Sequence, residues 1–143
     1  MYRFLVVLAI ILPLIQCGKL VELQLKTQDV EFANMDTEGY LEKEVCTGGG
    51  SACCYMQDID LGYNQYERGM LEGFTGQQLG ECDGLVIEDG DTVTVRLIHF
   101  GVDAWLGAYI RLLLDNGIYY QCPITNWLDD TDFVILECKV GQQ

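Results

Sequence analysis

Few residues in this 143-residue chain have types and spacings that could do chemistry. There is one serine, Ser51, and one histidine, His99, so most triad chemistries and any multi-histidine metal site are out of reach. The Gly-Gly-Ser-Ala-Cys context of Ser51 lacks the final glycine of a nucleophile elbow, and Thr47–Ser51 lacks the Lys-Ser/Thr ending of a phosphate loop. That glycine run reads as a connection ahead of Cys53 and Cys54. Carboxylates are abundant. Residues 28–37, Gln-Asp-Val-Glu-Phe-Ala-Asn-Met-Asp-Thr, gather three of them with an amide, and loop oxygens of this kind can hold a hard cation such as calcium. Without a family to compare, the plainer reading of the segment is a solvated acidic loop. Asp129, Asp130 and Asp132 crowd another stretch and read as a solvated turn.

The seven cysteines contain no Cys-x-x-Cys spacing, which argues against zinc. Residues 2–16 carry Arg3 followed by an apolar run from Phe4 to Ile15, too short to span a bilayer comfortably. This is the pattern of a secretory leader covering residues 1–18, with cleavage expected after Cys17 or Gly18. Six cysteines then remain in a secreted chain: Cys46, Cys53, Cys54, Cys82, Cys122 and Cys138. Up to three disulfides are expected, with connectivity open. Loss of Arg3 with the leader would take the net charge from −14 to −15. So acidic a chain has no footprint for nucleic acid, and an anionic membrane repels it unless a cation bridges the two.

The elements that must position these residues read as strands. Val21, Leu23 and Leu25 alternate with Glu22, Gln24 and Lys26, a half-buried strand over 20–26. Residues 91–97 repeat the pattern after an Asp89-Gly90 turn, and 108–114 pass through Asn116-Gly117 into 118–122. Phe133 to Val140 closes the chain as an apolar strand. No stretch holds a 3.6-residue period. The spacing predicts an all-β antiparallel sandwich or barrel in one domain, residues 19–143. His99 continues the apolar face of Val93, Val95 and Leu97 and reads as packed; Trp127 is read as core.

The order of the pieces resembles a PLAT (LH2, lipoxygenase-homology) domain. The strand and loop from Val21 to Tyr40, containing Phe32-Ala33-Asn34-Met35-Asp36, look like the family's opening strand and its Ala-Gly-Thr-Asp loop. Tyr66-Glu67-Arg68-Gly69, Phe74 and Leu79-Gly80-Glu81 follow at similar spacing. Asp103-Ala104-Trp105 with Tyr109-Ile110, then Tyr119-Tyr120-Gln121-Cys122 with Trp127-Leu128, complete the series. The resemblance implies an eight-stranded β-sandwich of two four-stranded sheets. It implies a non-catalytic, secreted, monomeric module that binds a lipid or membrane surface. The alternative is a secreted protein-interaction or structural module with an acidic binding face. Calcium is the one cofactor implied, held by Asp36 and Asp103 with the backbone carbonyls of Phe32 and Asn34. Phe32, Phe100 and Trp105 are the implied membrane or partner contacts. No Asp-Asn pair precedes Tyr66, which argues against a second calcium.

Overall fold

The computed structural model describes residues 17–35, 39–58 and 64–141. The chain runs through nine strands: β1 (Cys17–Thr27), β2 (Tyr40–Thr47), β3 (Ala52–Met56), β4 (Leu71–Thr75), β5 (Val86–Glu88), β6 (Val93–Phe100), β7 (Gly107–Leu114), β8 (Tyr119–Pro123) and β9 (Asp132–Val140). Every pairing between them is antiparallel. The hydrogen-bonded order is β3-β2-β6-β9-β8-β7-β1-β4, with β5 added to the start of β1. Only two residue pairs, Tyr120 with Val140 and Gln121 with Lys139, join β8 to β9. The halves β3-β2-β6-β9 and β8-β7-β1-β4 are therefore joined by a narrow seam into one continuous, curled antiparallel sheet. This agrees with the expected all-β sandwich class, but the strands number nine, not eight, and form one open sheet instead of two separate four-stranded ones.

Alternation builds the core. Leu20, Leu23 and Leu25 of β1 pack with Ile110 and Leu112 of β7 on one side, and Val93, Val95 and Leu97 of β6 with Leu41 and Val45 of β2 supply the other. The turns are those expected: Gly90 at φ 82° and Gly117 at φ 84° take backbone conformations that side chains disfavour. Helix is confined to short 3-10 turns at Gly48–Gly50 and Gly76–Cys82.

All six cysteines pair, as Cys46–Cys53, Cys54–Cys82 and Cys122–Cys138. The first ties neighbouring strands β2 and β3, the second fixes the 3-10 turn against β3, and the third clasps the seam between the halves. Three bridges suit an oxidising environment. Most of the expected leader lies outside the described residues; its last two, Cys17 and Gly18, pair with Glu88 and Ile87. Cys17 is exposed and unbridged.

Candidate functional site

The described parts of four connections meet at one end of the sandwich: residues 28–35 and 39 between β1 and β2, 57–58 and 64–70 between β3 and β4, 101–106 between β6 and β7, and 124–131 between β8 and β9. Backbone hydrogen bonds stitch them together. Gln28 N–H donates to Leu106 C=O at 3.0 Å, Leu106 N–H to Ala33 C=O at 3.3 Å, and Met35 N–H to Tyr66 C=O at 3.3 Å. Trp105 and Leu128 exchange two bonds of 2.8 Å, bringing in the fourth connection. Tyr40 stacks on Phe100 with centroids 4.7 Å apart, closing the β2–β6 side.

This end carries backbone strain. Among the described residues, the three non-glycine positions with positive φ are Phe32 (63°), Tyr66 (62°) and Asp130 (50°), one in each of three of these connections. A bulky aromatic in the left-handed region costs energy and persists only where its surroundings dictate it. At Phe32 the outcome is a ring held away from the protein, 77% exposed. Val102 on the neighbouring connection is 71% exposed, and Val30 and Trp127 are also exposed. These four apolar side chains, the crown, lie on three of the connections at this end, beside Glu31, Asp129, Asp130 and Asp29, the last paired with Arg68 at 3.0 Å.

Several expected roles need correction. Trp105 is not a surface contact: it is 0% exposed, its indole N–H donates to Thr27 Oγ1 at 3.2 Å, and Tyr66 meets it edge-on. A Cβ at position 107 would collide with its ring, so Gly107 makes the room for it. Trp127 is not core. It precedes Leu128, which is buried by the Trp105 bridge, and alternation along the chain turns Trp127 outward. Phe100 is half-buried under its stack with Tyr40. Val30 and Val102 were not singled out in the sequence, because isolated valines in polar loops carry no periodic signal.

Asp36 lies outside the described residues, so its position relative to Asp103 stays an expectation. Asp103 and Asn34 are half-buried in adjoining connections. Among the described residues the Phe32 and Asn34 carbonyls accept no backbone hydrogen bond. The one compact group of potential ligands among the described residues is Glu44, Cys46 and Cys53, and its two sulfurs are spent on a disulfide.

Catalytic chemistry finds no support in the arrangement of the nucleophile candidate. Ser51 is exposed beyond the far ends of β2 and β3, whereas His99 is fully buried near the crown, its Nδ1 bonded to the Asp130 carbonyl. The two cannot meet.

Beneath the crown lies a polar cluster that alternation could not reveal. Lys43 is buried, its ammonium 4.3 Å from the Phe74 ring centroid and 5.9 Å from that of Tyr66. Glu72 is buried too; its Oε1 accepts from Tyr66 N–H at 3.0 Å, while Oε2 has no hydrogen-bond partner among the described residues. Tyr66 O–H donates to Asp58 Oδ1 at 2.8 Å. Burial pushes the Lys43 ammonium down to about 8 against the pull of Asp58 and Glu72, and burial pushes Glu72 up. Burial, with Asp58 next, pushes the Tyr66 phenol up.

The Lys43 shift has a consequence for stability. Below pH 8 both states hold the proton and the folded state carries the full cost of a buried ammonium. Between about 8 and the unfolded value of 10.5 the unfolded state binds more protons, so stability rises with pH. The gain is about 3 kcal/mol at most. Urea midpoints are expected to climb from pH 7.5 to 9.5, and Lys43→Met should flatten that slope. A native midpoint that falls over this range would contradict the placement.

No protein-family model and no curated protein matches the sequence. Solved structures do match. The alpha toxin from Clostridium absonum superposes with a TM-score of 0.61 at 15% identity, over 83% of this chain and 31% of that one. The Clostridium perfringens alpha-toxin from avian strain SWCP gives 0.60 at 14%, over 85% and 32%. A LOX structure in complex with arachidonate gives 0.56 at 16%, over 87% and 17%. The chain thus spans about a third or less of those longer chains. The nine strands, their antiparallel order and these likenesses together give the chain the fold of a PLAT-like (LH2) domain.

Proposed function

We propose that this chain is a secreted, non-catalytic PLAT-like module that docks on lipid surfaces through its crown, with calcium held at the same end. The observation that carries the reading is the exposure of Val30, Phe32, Val102 and Trp127 on four neighbouring positions of one end, with Phe32 strained outward. A membrane-docking surface calls for clustered apolar side chains at a tip, whereas an acidic protein-binding face would use a broad area of sheet.

Charge sets the condition for contact. The chain carries −14, and at physiological salt repulsion from an anionic surface acts over a Debye length of ~8 Å. The crown must come inside that distance to reach the acyl region. Asp36 and Asp103, with the carbonyls of Phe32 and Asn34, are the residues that would hold calcium. The bound ion supplies positive charge between carboxylates and lipid phosphate. The supporting features are oxygen donors only, on adjoining loops, which suits a hard cation.

The test is co-sedimentation of the secreted chain with phosphatidylserine-containing vesicles. Binding is expected in calcium, with loss in chelator and loss on Asp103→Ala. Equal binding in calcium and chelator would reject the role of the ion. No binding in either condition would reject the lipid reading.

A further inference from the structure

The end of β2 farthest from the crown carries a cluster of different chemistry. β2 and β3 are joined there by the 3-10 turn Gly48–Gly50, and Cys46 and Cys53 are direct partners in the ladder between them. Side chains directly opposite each other in an antiparallel pair stand on one face of the sheet. Glu44 precedes Cys46 by two residues and shares that face. Its Oε1 lies 3.8 Å from Cys46 Sγ. The ligand atoms of Glu44, Cys46 and Cys53 all fall within 4.8 Å of one another. Among the described residues no lysine or arginine stands within ion-pair reach of the Glu44 carboxylate.

The bridge at this place differs from the other two. Cys54, Cys82 and Cys122 are buried, whereas Cys53 is exposed. Thiol–disulfide exchange requires the attacking thiolate to reach a sulfur, so exposed bridges are the labile ones. Opening this one leaves its surroundings in place. Five ladder pairs, from Lys43 with Met56 to Thr47 with Ala52, hold β2 against β3. The Cys54–Cys82 bridge holds β3 to the turn Gly76–Cys82. Residues 46 and 53 therefore stay neighbours after reduction, with Cα atoms 4.1 Å apart.

We propose that reduction of the Cys46–Cys53 bridge by a dithiol turns this face into a zinc site, with both thiolates and the Glu44 carboxylate as ligands. The dithiol gives up two electrons and two protons: the S–S bond of the protein breaks, two thiols form, and the dithiol closes to its own disulfide. Zinc then displaces the two thiol protons to solvent. Two sulfurs on one tetrahedral zinc, each ~2.3 Å from the ion, stand about 3.8 Å apart, a separation that ladder neighbours reach by side-chain rotation. The Glu44 oxygen is already at such a distance from Cys46 Sγ. Water or the Gly50 carbonyl, 3.7 Å from Cys53 Sγ, supplies the fourth ligand. Thiolates favour zinc over calcium, which takes oxygen, so this site differs from the crown in chemistry as well as place. Its ligands meet across a hairpin, which is why no Cys-x-x-Cys spacing announces them.

The test starts from the intact chain with the unbridged Cys17 blocked by iodoacetamide. Brief native treatment with a dithiol, its removal without air, and labelling with an isotopically heavy iodoacetamide should mark Cys46 and Cys53 before Cys54, Cys82, Cys122 or Cys138. The unlabelled, selectively reduced chain should bind cobalt(II) with the charge-transfer and d–d absorption bands of a tetrahedral thiolate site, and zinc should displace the cobalt. The oxidised chain should show no such bands. Groups that only orient a ligand are worth about 10- to 100-fold in metal affinity, so Glu44→Gln, which alters a ligand itself, should weaken zinc binding by at least about tenfold. Labelling of Cys46 and Cys53 no faster than of the other four overturns the proposal. So do reduced chains that give no cobalt bands, bands of equal strength from the oxidised chain, or undiminished zinc affinity in Glu44→Gln. The labelling order and the cobalt spectrum of the native sequence decide the matter even if Glu44→Gln fails to fold.

Discussion

Replacing Phe32 by asparagine and Val102 by serine together is expected to abolish vesicle binding while leaving the fold as stable as before. Both side chains are more than two-thirds exposed, so removing them takes little from the core. Asparagine tolerates the left-handed region far better than phenylalanine, so the change at φ 63° relieves strain. Apolar burial contributes about 1.5–3 kcal/mol per large side chain. Losing both from the lipid contact therefore costs about 3–6 kcal/mol, or on the order of 100- to 10,000-fold in affinity. Vesicle co-sedimentation beside a urea titration checks both halves. A double variant that sediments like the native chain would place the lipid contact elsewhere, and one that loses stability would show the crown to be core.

Trp105→Ala should do the reverse. The ring is fully buried with Tyr66 edge-on to it, and its indole N–H is bonded to Thr27. Truncating a buried tryptophan costs about 3–5 kcal/mol through lost burial and a residual cavity. The same change frees Thr27 Oγ1 and slackens the bridge that draws 124–131 toward 101–106. Denaturant titration should therefore show a large fraction of the stability gone, since a domain of this size holds only about 5–15 kcal/mol. A loss below about 1 kcal/mol would contradict the core role of Trp105.

The contrast between these variants bears on what the chain reveals before folding. β1 and β6 are legible because apolar and polar residues alternate, β7 and β8 because Asn116-Gly117 marks the turn between them, and β9 because its residues run nearly continuously apolar. β2 and β4 are not, and the reason is physical. β2 turns Leu41, Lys43 and Val45 inward, and β4 turns Glu72 and Phe74 inward while Leu71 faces solvent. A buried lysine and a buried glutamate erase the period-two signal in the strands that carry them. β5 has three residues, too few for any period. The fold class survived these gaps because the remaining strands and the order of the family-like motifs constrain the same topology.

The candidate site was legible in part. Phe32 is at the exposed tip, as its place in the loop after the first strand implied. The tryptophans exchanged roles. Trp105 sits two residues before Gly107, whose missing side chain admits the ring, and Trp127 adjoins Leu128, whose burial turns it out. Such contacts join distant segments and leave no local pattern. The pairing of Cys54 with Cys82 is of the same kind: it depends on a 3-10 turn whose Gly80 adopts φ 56° close to the Tyr55 carbonyl.

The two tryptophans also give the most direct measurement of the central claim, that the crown enters lipid. Trp127 is exposed on the crown and Trp105 is buried beneath it. Emission from the chain on calcium-loaded vesicles whose lipids are brominated along the acyl chain should be quenched, and the quenching should vanish in Trp127→Phe while the Trp105 emission persists. Bound protein whose emission is untouched by brominated acyl chains, or quenching that survives Trp127→Phe, would contradict it.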